Sequence, residues 1–287
     1  MTTHFDINGE FGYELFAALP LINYAREQGV NVKVKTAKGG SVLYPNTDVT
    51  EVYDKRVQLM SMKINGVNYY KQHNHVAGFF SKKINELWPE AKQGGDNYAW
   101  EDRWSPPDLK GYYKGVYNWI ALNFEKPLLV VSNKYQSEWD KDPVNYINLD
   151  SLKTIFELCS DKFHIIYNRP GVDDIVNDSS EQKEFGDRSL VNEFDIQTVQ
   201  DIANKYNLSY NEAQMSVLSN CEHHISTQGG NSALAAYFGG ENIIYGIKGY
   251  EVKHKSYETF FPKLSGQKIY HVKSYEDLIK KVKSYVK

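Results

Sequence analysis

Residues 224–232 bring together the residue types that bind a phosphate. The strand-like His224-Ile225-Ser226 runs into Thr227-Gln228-Gly229-Gly230; Asn231-Ser232 are helix-capping types, and Ala233–Phe238 continues as a short helix that Gly239-Gly240 stops. Glycines let the backbone approach a ligand closely, and a helix start offers free N–H groups and a partial positive charge. Ser226, Gln228, Gly229, Gly230, Asn231 and Ser232 are therefore candidate binding residues. Two further loops, Asn133-Lys134 and Asn168-Arg169, also follow strand-like runs, and Lys134 and Arg169 are natural charge partners for a diphosphate. A fourth loop, Asn8-Gly9-Glu10-Phe11-Gly12, is acidic. With Asp6 and Asp102 it supplies the carboxylates able to take a proton, Glu10 first among them. Glu10 equally suits a helix cap or a contact to a hydroxyl.

Other chemistries leave weaker traces. His73-Asn74-His75 has no Cys or carboxylate cluster beside it and reads as solvated or packed, while His223-His224 enter a strand, one toward a cleft and one toward the core. No metal site is expected. A Walker-type loop and a G-x-G-x-x-G turn are absent, which argues against ATP hydrolysis and the usual nicotinamide site.

The net charge of −3 gives no reason to expect a nucleic-acid partner. Cys159 and Cys221 each sit in an apolar pattern, as buried free thiols do, which suits a reducing compartment. No apolar run reaches the roughly 18 residues a membrane span needs, and the first residues lack the order of a signal peptide, so a cytoplasmic chain is expected, with peripheral membrane contact left open. The 22 Tyr and 5 Trp suit either stacking on sugar rings and bases or core packing.

The elements that must position these residues follow from periodicity. Thr3–Ile7 reads as a strand, and Leu15, Ala18, Leu19 and Ile22 mark the buried face of a helix reaching about Gln28, with a kink expected at Pro20; Val30–Thr36 is the next strand. The spacing then predicts short strands at Ser41–Tyr44 and Gln58–Ile64, helices at Gly78–Leu87 and Tyr112–Phe124, and a loop at Trp100–Pro107. A boundary is expected near Glu125-Lys126-Pro127, before the apolar strand Leu128–Ser132. Beyond it the pattern predicts a helix at Ser151–Cys159 and a strand at Phe163–Tyr167. A strand around Ser189–Phe194 and a helix within Asn211–Ser219 come next. Strands at Asn242–Tyr245 and Lys268–Val272 and a final helix Ser274–Val286, with Leu278, Ile279 and Val282 inward, complete the chain. The class is α/β, with two Rossmann-like domains, residues 1–125 and 126–287, facing across a cleft and with the last helix free to return to the first domain.

This layout resembles the two-Rossmann (GT-B) glycosyltransferases, and the heptosyltransferase-like members above all. Ser226-Thr227-Gln228-Gly229-Gly230-Asn231-Ser232-Ala233-Leu234-Ala235-Ala236 is similar to their donor-diphosphate turn. Asn8–Gly12 with the helix after it resembles their N-terminal acidic glycine turn, where the family's aspartate is replaced by Glu10. The resemblance implies transfer of a hexosyl or deoxyhexosyl unit from a nucleotide-diphosphate sugar to a hydroxyl of a glycan or glycoconjugate. The first domain would bind the acceptor (Asp6, Asn8, Gly9, Asp102) and the second the donor (Asn133, Lys134, Arg169 and the 226–232 turn). Glu10 would be the catalytic base if the reaction inverts. No metal and no cofactor beyond the nucleotide-sugar co-substrate are expected. A nucleotide-sugar 2-epimerase and a carbohydrate- or nucleotide-binding protein without turnover are the alternatives.

Overall fold

A computed structural model describes residues 2–57, 62–68, 105–116, 122–137, 142–169 and 183–286. The expected helix at Gly78–Leu87, the His73/His75 pair, Asp102 and most of the Trp100–Pro107 loop lie outside these residues. The chain divides into two compact units between Pro107 and Asp108. The expected boundary, at Glu125–Pro127, lies later. The boundary falls earlier because the helix Leu109–Val116 buries Leu109 and Tyr113 and packs on Tyr210–Ser219, a helix of the second unit.

In the first unit β1 (Thr2–Ile7), β2 (Asn31–Ala37) and β3 (Asp48–Tyr53) run parallel, while β4 (Met62–Ile64) joins β1 antiparallel and turns through Asn65-Gly66 into β5 (Val67–Asn68). The order is β3-β2-β1-β4-β5. Ser41–Tyr44, expected as a strand, is instead occupied by a 3-10 turn at Gly40–Leu43, and the third parallel strand is Asp48–Tyr53. Its exposed, charge-rich face weakens the alternation that marks a strand.

The helix after β1 runs from Phe11 to Glu27 with a π turn at Glu14–Ala18. Pro20 explains it. Its nitrogen has no hydrogen to offer the carbonyl of Phe16 and its ring crowds that carbonyl, and the wider turn just before it relieves both conflicts.

Among its described residues the second unit holds six parallel strands in the order β11-β10-β9-β6-β7-β8. They are β6 (Leu128–Ser132), β7 (His164–Asn168), β8 (Gln197–Thr198), β9 (His223–Thr227), β10 (Glu241–Tyr245) and β11 (Lys268–Val272). β6 is buried along its whole length, as its unbroken apolar run requires. The segment expected as a strand at Ser189–Phe194 is the helix Asp187–Glu193, and the strand is the two-residue β8. A helix at Val199–Tyr206 follows, opened by a capping box in which Thr198 and Asp201 bond each other's backbone N–H groups.

The segment after β10 forms three single helical turns, Tyr250–Lys253, Ser256–Thr259 and Pro262–Ser265. In the last helix, Tyr275–Val282, Leu278 and Val282 are buried in a core shared with Leu152, Ile155 and Phe156 of the helix Leu149–Cys159.

Cys159 and Cys221 are free and buried, and burial pushes both thiols up to about 12. The histidines at the start of β9 serve the core rather than a cleft. His223 packs between Phe163 and Tyr285, and His224 is 1% exposed with no partner on either ring nitrogen. Burial, then the charges of His223 and Lys110, lower His224 to about 3. Folded His224 is therefore neutral through the acid range, whereas in the unfolded chain it takes up a proton as the pH falls through about 6.5. Stability is lost between about 6.5 and 3, and His224→Leu should remove up to one proton, about 1.4 kcal/mol per pH unit, from the slope of unfolding free energy against pH. Identical slopes for the two proteins in urea titrations at pH 4 to 6 would contradict this.

Candidate functional site

In an open parallel sheet the ligand crevice lies beyond the carboxyl ends of the strands, where the order reverses, because the two loops there leave in opposite directions. In the second unit that point falls between β6 and β9: β7 and β8 extend the sheet on one side and β10 and β11 on the other. The loops ending there are Asn133-Lys134 and Gln228-Gly229-Gly230.

They meet directly. Gly229 has φ +125° and ψ −163°, a conformation open to glycine, and a Cβ on it would stand 3.3 Å from the Lys134 Nζ. The Lys134 ammonium therefore lies over the glycine turn. The helix Gly230–Ala235 starts immediately after it, and the Ser232 hydroxyl turns back to donate to the Gly229 carbonyl at 2.8 Å. Gly230 and Asn231 are half-buried, and the Asn231 Oδ1 accepts no hydrogen bond.

Several residues singled out by the sequence make bonds within the fold. The Asn133 amide is fully used: its Nδ2 donates to the Ile147 carbonyl at 3.0 Å and its Oδ1 accepts from the Ile147 N–H at 2.9 Å. Ser226 is buried in β9 and donates to Asn242 Oδ1 at 3.0 Å. Arg169, at the end of β7, is paired with Asp187 at 2.6 Å and donates to the Lys183 carbonyl, with its guanidinium also 5.9 Å from the centre of the Phe185 ring. Asp187 is completely buried and also accepts from Tyr167 at 2.7 Å. Burial, reinforced by the Asp187 charge, drives the Tyr167 hydroxyl well above its ordinary pKa. The charge of Arg169 is thus balanced inside the fold.

Further residues, unmarked by any motif, hold the loops beside the turn. Asn145, left-handed at φ 55°, accepts from the N–H groups of Ile247 and Lys248 at 2.7 and 3.3 Å and donates to the Lys248 carbonyl at 3.0 Å. It ties the loop after β6 to the loop after β10. Its signal was local, since asparagine is enriched in the left-handed region and Asp142-Pro143 favours a turn. Tyr135, Tyr146 and Phe185 pack edge and face within 4.6 to 5.7 Å, and Tyr245 stacks on Tyr275 at 4.7 Å. These tyrosines serve packing.

In the first unit Glu10 is the residue before the helix. Its carbonyl accepts from Tyr13 and Glu14, and its carboxylate makes no capping bond. Asp6 lies on β1 and accepts from the Tyr53 hydroxyl, whose pKa rises to about 12 through burial and then through this bond. The Asn8 Oδ1 is buried without a donor, and the Gly9 carbonyl accepts from Arg56 at 3.4 Å. Arg56 and Glu14 form an ion pair whose side chains are 0% exposed, with Thr36 donating to the same carboxylate at 2.6 Å and Tyr44 donating as well. Arg56 also lies over the Phe11 ring. The loop carrying Glu10 thus rests on a fully buried charge pair. A glutamate four residues before Ala18, on the apolar helix face, was the legible sign, while its partner lies 42 residues away.

Among the described residues no three His, Cys, Asp or Glu side chains gather to hold a metal ion. No helix among them is long and apolar enough to cross a membrane.

No protein-family profile matches this chain, and no curated protein sequence does. Solved structures do. The heptosyltransferase WaaC of E. coli, solved with ADP, superposes with a TM-score of 0.53 over 100% of this chain and 99% of its own at 13% identity. A glycosyl transferase family 9 protein from Veillonella parvula gives 0.51 over 98% of this chain and 88% of its own at 10% identity. The chain has the fold of the heptosyltransferase-like glycosyltransferases.

Removing one member of a buried ion pair strands the other, at a cost of about 3–5 kcal/mol. Arg169→Met should lower the unfolding free energy by that order in urea denaturation; a loss under about 1 kcal/mol would show that Asp187 does not depend on it.

Proposed function

We propose that this protein is a glycosyltransferase that moves a sugar, of hexosyl or deoxyhexosyl type, from a nucleotide-diphosphate sugar to a hydroxyl of a glycan or glycoconjugate. One observation carries the reading: the Lys134 ammonium lies on the Gly229 turn at the point where the strand order reverses. That this fold is shared with a heptosyltransferase solved with ADP supports the choice of ligand.

In this reading the second unit takes the donor. A departing diphosphate accumulates negative charge as the bond to the sugar breaks, and an ammonium with backbone N–H groups already aimed at it lowers the barrier without reorganising. Lys134 supplies the ammonium and the turn Gly229-Gly230-Asn231 the N–H groups. Asn133, Ser226, Ser232 and Arg169 act by holding these loops in place.

The first unit takes the acceptor through Asp6, Asn8, Gly9, Glu10 and Asp102. Glu10 is the group we assign as base, removing the hydroxyl proton as the oxygen attacks. It stands at the end of the loop that leaves β1, directly before the helix. A general base contributes about 10²–10⁴-fold. Glu10→Gln should therefore lower turnover at least about 100-fold while donor affinity stays within twofold by calorimetry. Full turnover in that variant would remove Glu10 as base.

Lys134→Ala tests the donor side separately. Loss of a charged hydrogen bond, about 1.5–3 kcal/mol, should weaken nucleoside-diphosphate binding roughly 10- to 150-fold. Unchanged affinity would sink the phosphate role.

Transfer is proposed to proceed without a divalent ion. The sequence contains one Asp-x-Asp triplet, Asp140-Lys141-Asp142, a spacing that metal-dependent transferases use. Asp142 is exposed, and Asp140 and Lys141 lie outside the described residues. Turnover should persist in excess chelator; abolition restored by Mg²⁺ or Mn²⁺ would overturn metal independence and point to that triplet.

A further inference from the structure

The end of β9 carries a hydrogen-bonding group that a phosphate cannot use. Gln228 is 4% exposed, and its Nε2 donates to Glu251 Oε2 at 2.6 Å. Bonding to a carboxylate settles which end of the amide is nitrogen, since the oxygen would be repelled there. The amide cannot swing away. It lies on the loop after β10, where a Cβ at Gly249 would fall 1.8 Å from its Nε2 and one at Gly246 would stand 3.1 Å from its Cβ. Gly249 has φ +131°, so a glycine is needed there for both conformation and space.

The other end of the amide, Oε1, is buried and accepts no hydrogen bond. An unsatisfied buried acceptor is costly, and such groups persist where something else satisfies them. A diphosphate has only acceptor oxygens and would be repelled by Oε1. A hydroxyl or N–H donor fits. Asn231, three residues on and in the first helical turn, also presents an oxygen without a donor.

We infer that Gln228, locked by Glu251 and the glycines of the Gly246–Gly249 loop, is a specificity residue whose amide oxygen accepts a hydrogen bond from a hydroxyl of the transferred sugar. This rests on the glycosyltransferase reading above and assigns Gln228 a part in it distinct from that of Lys134, which faces the phosphates. Because the loop after β10 covers Oε1, sugar binding requires that loop to move aside while the bond to Glu251 keeps the amide oriented. Gly246 and Gly249 stand at its ends, and Asn145 holds it in between through Ile247 and Lys248.

The experiment measures affinity by calorimetry for a panel of ADP-, UDP-, GDP- and CDP-sugars beside the parent nucleoside diphosphates. In the wild-type chain one nucleotide sugar should bind more tightly than its parent diphosphate. Gln228→Met, which keeps the length and removes the acceptor, should weaken that nucleotide sugar about tenfold and leave the parent diphosphate within twofold. Glu251→Gln, which can still accept from Nε2 and keep the amide oriented, should retain the preference. Equal weakening of both ligands by Gln228→Met, or no weakening of either, overturns the role of Gln228 while leaving the glycosyltransferase reading intact. If the wild-type chain binds every diphosphate no more weakly than its sugar conjugate, the inference fails without recourse to any variant. Absence of binding to the entire panel would instead bring down the glycosyltransferase reading and this one with it.

Discussion

The reversal of strand order between β6 and β9 is the constraint on which the second unit depends. Every strand there runs the same way, so all carboxyl ends emerge on one edge, and backbone groups left unpaired at those ends must find partners in loops. At the reversal the two loops diverge and leave a gap that no neighbouring crossover fills. The Gly229 turn and Lys134 occupy that gap because β6 and β9 are adjacent although their sequences lie nearly a hundred residues apart.

Side-chain amides hold the loops around this gap. Asn133 pairs with the Ile147 backbone as another strand would, Asn145 does the same for the loop after β10, and Asn168 accepts from Tyr210 and Gln214 while donating to Ser132. An amide offers a donor and an acceptor in one plane, which lets it stand in for a peptide group where the ladder ends. Buried polar networks of this kind rigidify a region when they are complete. Gln228 departs from the pattern, since one end of its amide is bonded and the other is not.

The first unit solves a related problem with charge. The loop Asn8–Gly12 leaves β1 and enters a helix whose early course is set by the π turn ahead of Pro20, and Glu14 of that turn is buried against Arg56. A buried ion pair contributes little net stability beside an apolar pair of the same volume, but it penalises any arrangement that separates the charges. It therefore holds the position of Phe11, Gly9 and, through them, Glu10.

The α/β class, the apolar strands β6 and β10, the helix faces and the glycine turn after β9 are legible in the sequence, because each is written in spacing within one element. Spacing does not mark the boundary at Pro107, the helix Asp187–Glu193 or the edge strand β3, where burial by distant elements or a solvated strand face hides the period. Residue types announced a site at Lys134 and Arg169 alike. The fold places Lys134 over the turn and pairs Arg169 with Asp187, and an arginine at a strand end looks the same in sequence whether its counter-charge is a ligand or a buried aspartate.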